Sequence, residues 1–172
     1  MPEFQMNGKY QPAFRALDEF TQAYIEAMFW TDNAPGVTTE EWQAVESNGG
    51  EHPEGSFPDD VGFDDLAPEA LEKIVADCKA FQETNAALLE EAYELSADGL
   101  AYTPERAGHD FWLTRNGHGC GFWSRSFEGH ADIGDRLSAR CGWRHHKEPG
   151  CEGFGEVSTY LGDDGRVYMM AG

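Results

Sequence analysis

Negative charge is spread unevenly along this chain, and that imbalance constrains the fold more than any single motif. Residues 1–108 hold 23 Asp and Glu against 5 Lys and Arg, residues 109–172 hold 9 against 7, and the formal net charge is -20. Self-repulsion of that size works against a compact state, so a folded chain needs a strong apolar interior to offset it. The sequence supplies one: 40% of its residues are hydrophobic, with five Trp, eleven Phe and six Tyr among them. Wholesale disorder is thereby excluded. At 172 residues the chain is sized for one domain with a core that needs no disulfide or metal. We therefore expect a single domain over 1–172, with an acidic helical part at 1–106 and a β-rich part at 107–172.

Leu17, Phe20, Tyr24 and Met28 recur at helical spacing after Pro12, so residues 13–30 read as an amphipathic helix. Residues 31–65 follow as a long acidic loop rich in Gly, Pro, Asp and Glu, in which 38–45 could hold a short helix. Pro68 suits a first helical turn, and Leu71, Ile74, Cys78, Phe81, Leu88, Ala92 and Leu95 keep one face apolar until Asp98-Gly99, giving one long helix. Its other face is nearly all carboxylate.

Beyond Pro104 the pattern reads differently. Phe111-Trp112-Leu113-Thr114 and Gly121-Phe122-Trp123-Ser124 are aromatic runs around Asn116-Gly117-His118-Gly119, the signature of a β-hairpin with a glycine-rich turn. Ile133, Leu137 and Cys141 then mark a short helix, and residues 157–161 and 166–169 flank Gly162-Asp163-Asp164-Gly165 as a second hairpin. The expected class is α+β, with two N-terminal helices packed on a C-terminal ββαββ antiparallel sheet.

No run approaches the roughly 18 apolar residues of a membrane span, and Met1-Pro2-Glu3-Phe4 lacks the basic and apolar parts of a signal peptide. A cytoplasmic protein without membrane partners is expected. Reduced cysteines follow from the same reading.

The densest group of reactive side chains is His109, Asp110, Arg115, Asn116 and His118, with His130 further on. A hairpin followed by a helix and bearing His, Asn and His has the order of the ββα-metal nucleases. That chemistry conflicts with the charge, because an acidic protein with twelve cations is poorly equipped to hold a polyanion. The five residues still define a candidate pocket for a small metal-dependent enzyme or ligand-binding domain. Cys120, Cys141, His145, His146 and Cys151 together offer zinc donors, but no CxxC pair is present. Ser124 and Ser126 lack a Gly-x-Ser-x-Gly elbow, which leaves no sign of a nucleophilic hydrolase. No cofactor is indicated.

The stretch from Ala107 through Trp123, together with Leu66-Ala67-Pro68-Glu69-Ala70, Asp77-Cys78-Lys79-Ala80-Phe81, Gly134-Asp135-Arg136-Leu137 and Tyr160-Leu161-Gly162-Asp163-Asp164-Gly165, resembles a type of small acidic protein encoded by many bacteriophages. The likeness covers about half the chain. It implies a phage origin, hence the cytoplasm of a host cell, and no particular reaction.

The charge makes a further expectation. A dense carboxylate surface attracts proteins built to hold phosphate. The expected role is a non-enzymatic nucleic-acid mimic of the anti-defence kind, anti-restriction or anti-CRISPR, that inhibits a host nucleic-acid-binding protein without contacting nucleic acid. Asp59, Asp60, Asp64, Asp65, Glu69, Glu72, Glu90, Glu91 and Glu94 would supply the charge, and Trp42 and Phe57 the anchors.

Overall fold

The computed structural model describes residues 6–34, 36–50, 55–141 and 154–171. Helices supply nearly all of the architecture. After the single turn α1 (Pro12–Arg15), α2 (Glu19–Asp32) begins at Asp18, whose side chain accepts the Thr21 N–H at 2.7 Å as an N-cap. α3 (Thr39–Ser47) lies inside the stretch read as a loop, close to the short helix that it could hold. The acidic connection is thus built, with β1 (Asn33–Ala34) pairing in parallel with β2 (Phe57–Pro58).

The long helix is two. α4 (Pro68–Thr84) and α5 (Ala86–Tyr93) share Asn85, which is buried at φ -112° and returns both its backbone N–H and its side-chain amide to the Phe81 carbonyl, each at 3.0 Å. β3 (Ser96–Ala97) and β4 (Leu100–Ala101) then form a minimal hairpin around Asp98-Gly99.

The expected ββαββ sheet is not present among the described residues. The segment read as its first hairpin is a helix, α6 (Pro104–Arg115), followed by a 3-10 turn at Phe122–Ser124. Thr103 caps α6 by accepting the Arg106 N–H, Pro104 occupies the first turn, and Arg115 stands in the last. Asn116-Gly117 is the helix stop. Gly117 takes φ +68° and donates to the Thr114 carbonyl, while the His118 N–H returns to Leu113 at 3.0 Å, the paired bonds of a Schellman motif. An Asn-Gly pair serves both a hairpin and this cap, and the choice between them falls to the rest of the chain.

α6 reads like a strand because it is buried on nearly every side. Ala107, Gly108 and the whole run from Asp110 to Arg115 are inaccessible, so no polar face marks the helical period. It crosses α2 so closely that a Cβ on Gly108 would lie 2.0 Å from the Phe20 carbonyl oxygen. Phe81 stacks on Phe111 at 4.2 Å and on Phe122 at 5.8 Å, and Tyr24 meets Phe111 and Trp112 at 5.5 and 5.4 Å. This aromatic centre is the interior that the net charge demands.

α7 (Asp132–Arg140) matches the expected short helix. The second hairpin is present as β5 (Val157–Leu161) and β6 (Val167–Ala171), in antiparallel register from Val157–Ala171 to Leu161–Val167. The α+β class holds in this reduced form, with three two-stranded sheets among the described residues. No helix among the described residues is long and apolar enough to cross a membrane.

Candidate functional site

The five motif residues divide three ways along α6. Asp110 and Arg115 turn inward. Asp110 accepts two donors of Arg125, at 2.5 and 3.1 Å, and the Tyr102 hydroxyl at 2.7 Å. Arg115, 1% exposed, donates to Asp77 at 2.9 Å, to the Tyr24 hydroxyl at 3.2 Å and twice to the Gly155 carbonyl. Burial between these groups pushes the Tyr24 hydroxyl well above its ordinary value, with Arg115 opposing the rise. Both pairs bind elements to one another and leave nothing for a ligand.

His109 faces outward at the N-terminal half of α6. It lines a cavity of about 280 Å³ with Ala23, Glu26, Glu105, Arg106 and Arg125. Burial holds its imidazole below the ordinary histidine value, and the nearby Arg125 adds to this against Asp110 and Glu105. Trp30 lies against it with ring centroids 5.7 Å apart. Opposite, Glu26 interrupts the apolar run Ala23, Tyr24, Ile25, Ala27, Met28, Phe29 of α2. Burial raises its carboxyl above the ordinary range, Lys9 opposes the rise and Glu105 adds to it.

The arginines on this wall already have partners. One terminal nitrogen of Arg106 donates to the carbonyls of Ala97, Leu100 and Ala101, and the other lies 3.7 Å from Asp98. Arg125 is held by Asp110 and comes within 4.0 Å of Asp98. Glu26 and Glu105 make no hydrogen bond or ion pair among the described residues.

Asn116 and His118 belong to a second cavity, of about 260 Å³, at the far end of α6 with Asp32, Ser56, Glu156 and Ser158. Asn116 is structural: it donates to Trp112 and accepts the Val157 N–H, each at 3.0 Å, fastening α6 to β5. Asp32 accepts the Thr159 hydroxyl at 2.7 Å, and burial raises its carboxyl, with Thr159 and His118 opposing. His130 is exposed just before α7. The motif therefore does not form one pocket.

The nine acidic residues differ in position. Asp59 accepts from the Asn33 amide and the Gly36 N–H, Asp60 accepts the Thr39 N–H and hydroxyl, and Asp65 accepts the Gly62 N–H. Asp64 receives a longer bond from Gln11 at 3.4 Å. These four carboxylates hold the acidic connection together. Glu69 and Glu72 are exposed on α4, Glu90 and Glu91 on α5, and Glu94 at the α5 C-cap. The α4 surface is more mixed than its sequence implies, because Asp77 turns in to Lys73 and Arg115 while Lys79 approaches Glu83 at 3.9 Å. Glu91 shares a shallow cavity with Arg136 and Arg140.

Trp42 and Phe57 are not surface anchors. They are 3% and 0% exposed, and Phe57 packs on Phe29 at 5.2 Å. Among the described residues the large exposed aromatics are instead Tyr10, Trp30, Trp123 and Tyr160. Of the zinc donors, Cys141 is buried, with its thiol donating to the Leu137 carbonyl, and Cys120 is half-buried. His145, His146 and Cys151 lie outside the described residues. No group of three or more His, Cys, Asp and Glu poised for a metal occurs among the described residues.

Sequence reasoning missed Glu26, Glu105, Arg106, Arg125 and Asp32. One signal was available: a lone carboxylate inside the apolar run of α2 is costly unless it has a use. No known protein family, no curated protein and no solved structure matches this chain.

Proposed function

We propose that the protein works by binding, as an acidic ligand for a host protein that handles nucleic acid, and that it inhibits that protein by occupying its phosphate-holding cations. The observation that carries this reading is the inward placement of three arginines. Arg115 is buried, and Arg106 and Arg125 are about three-quarters covered and faced by Asp98 and Asp110. Three cations that would soften the outer field are thus matched inside, while Arg15, Arg136, Arg140 and Arg166 remain exposed, and the glutamates of α4 and α5 face solvent. Fields of this kind speed encounter and select partners, while affinity comes from a few buried contacts. A phage origin and an anti-defence role, anti-restriction or anti-CRISPR, fit such a ligand.

The test is capture from host lysate on the immobilised protein, eluted along a salt gradient or with excess duplex DNA. A nucleic-acid-binding protein should be retained and released by moderate salt and by DNA, since surface charge is screened within about 8–10 Å near physiological ionic strength. The triple substitution Glu90→Gln, Glu91→Gln, Glu94→Gln should weaken retention. Retention that persists in molar salt and ignores this substitution would refute the proposal.

A further inference from the structure

The cavity at the N-terminal half of α6 has chemistry that the acidic surface does not explain. Its lining carries Glu26, Glu105, Arg106, Arg125 and His109 over the small floor residue Ala23. Of these charges, the guanidinium of Arg106 is matched by three carbonyls and Asp98, and that of Arg125 by Asp110. Arg106 also lies over the Tyr102 ring at 5.2 Å. The two glutamates have no such partner among the described residues, and only Lys9 acts on Glu26 with the opposite sign. The cavity is therefore a place where positive charge is fixed elsewhere and negative charge is available.

We propose that this cavity binds a single planar organic cation of the guanidinium type, held by the Glu26 and Glu105 carboxylates and lying against the His109–Trp30 pair. Two carboxylates on one small cavity suit the forked donors of a guanidinium better than the compact charge of an ammonium. Trp30, itself outside the lining, is 41% exposed and packs on the His109 wall of the cavity, inclined at 35° with centroids 5.7 Å apart, so an aromatic pair stands at the site of the kind that attracts cations. The volume fixes the scale. At about 280 Å³ the cavity falls just below the ~300–1,000 Å³ of sites for drug-sized ligands, which suits one side chain or one small amine. An anion would meet Glu26 and Glu105 with Arg106 and Arg125 already engaged. Burial of Glu26 supplies the driving force, because a half-buried carboxylate that favours a proton is relieved equally by a bound cation.

The guanidinium can come from an arginine of the binding partner or from a free small molecule. The first source rests on the function proposed above; the second does not. The experiment follows the Trp30 indole and His109 imidazole signals by heteronuclear NMR, with the indole assigned through Trp30→Phe, while the intact protein is titrated with separate probes. The probes are N-acetyl-arginine-methylamide as the side-chain mimic, agmatine as the free amine, N-acetyl-lysine-methylamide and inorganic phosphate. Saturable shifts at both residues with a guanidinium probe, weaker with the lysine probe and absent with phosphate, are the expected result. Glu26→Gln with Glu105→Gln should weaken binding about tenfold or more, the scale of losing charge-assisted hydrogen bonds.

A stronger response to the arginine mimic than to agmatine identifies a partner side chain as the source, and a stronger response to agmatine identifies a free ligand. Absence of saturable shifts with either guanidinium, binding of phosphate at these signals, or full affinity in the double variant each overturns the proposal. None of these outcomes depends on lysate capture, and the α5 triple variant leaves this cavity intact. The two readings therefore fail separately.

Discussion

The two ends of α6 use the same side-chain types to opposite effect. At its C-terminal end Arg115, Asp77, Tyr24 and the Gly155 carbonyl close on one another, Asn116 clips the helix to β5, and the Schellman turn satisfies the last carbonyls. At its N-terminal half, a few turns away, Glu26 and Glu105 face a cavity with no hydrogen bond or ion pair among the described residues, while burial holds the His109 imidazole below its ordinary value. One end has its charges matched and the other keeps two in reserve. The difference separates residues that hold the fold from residues whose cost calls for another explanation.

The strongest way to break this comparison is at the matched end. Arg115→Ala leaves the Tyr24 hydroxyl and the Gly155 carbonyl without their buried donor and Asp77 with Lys73 alone, and should cost about 3 kcal/mol in urea unfolding. Arg115→Lys should recover only part of this, because one ammonium cannot reach Asp77 and Gly155 with the planar fork that now serves both. A loss below about 1 kcal/mol for the alanine variant would mean that the pair does not bind the ends of the fold together.

Next in size is Gly108→Ala, which tests the crossing that places His109 and Glu26 on the same cavity. Its added methyl would sit 2.0 Å from the Phe20 carbonyl, so α2 and α6 must separate. Overpacking of this kind costs roughly 1–3 kcal/mol. The same variant should perturb the Trp30 and His109 NMR signals together, whereas Arg115→Ala should leave them close to their native positions in the folded fraction. Gly117→Ala is smaller again. A side chain forced to φ +68° costs about 1 kcal/mol, with the effect confined to the last turn of α6.

These contrasts also explain what could be read from the sequence. α7 and the β5–β6 hairpin were legible, and α2 was legible apart from its break from α1 at Ala16–Asp18, because each shows its own period or turn with one face open to solvent, while α3 showed only as one option within an acidic loop. α6 was not. With Phe111, Trp112, Leu113 and Thr114 all buried, helix and strand predict the same apolar run, and the Asn116-Gly117 pair agreed with either. The decisive signal was upstream, in Thr103-Pro104-Glu105, an N-cap followed by a first-turn proline and an acid. The break at Asn85 was hidden in the same way, by an apolar stripe that runs through it from α4 to α5. The cavity was half visible: His109 stood out and Glu105 and Arg106 share its helix, but Glu26 and Arg125 come from α2 and from the turn after Phe122–Ser124, contacts that no local pattern encodes. Trp42 and Phe57 looked like anchors because the sequence around them is polar, yet the acidic connection folds and takes them into the core.

The smallest effect is the most telling, because its sign differs from most substitutions. Glu26 has a folded-state affinity for protons raised above the ordinary carboxyl value of 4.5, with burial the main cause. A raised value means that this group favours the folded state below the unfolded value, and that the advantage is lost as pH rises through the folded value. At neutral pH the ionised carboxylate therefore opposes folding. Glu26→Gln keeps the shape and removes the charge, so it should stabilise the protein modestly at pH 7, and the gain should shrink toward zero below about pH 4.5, measured by unfolding across that range. Arg115→Ala should lose stability at both ends of the range. A Glu26→Gln variant that loses stability at pH 7 would reveal a compensating partner for the carboxylate and remove the contrast between the two ends of α6. A variant that gains stability while losing guanidinium binding would tie the cost to the site, since a residue that weakens the fold and strengthens binding has its role in binding.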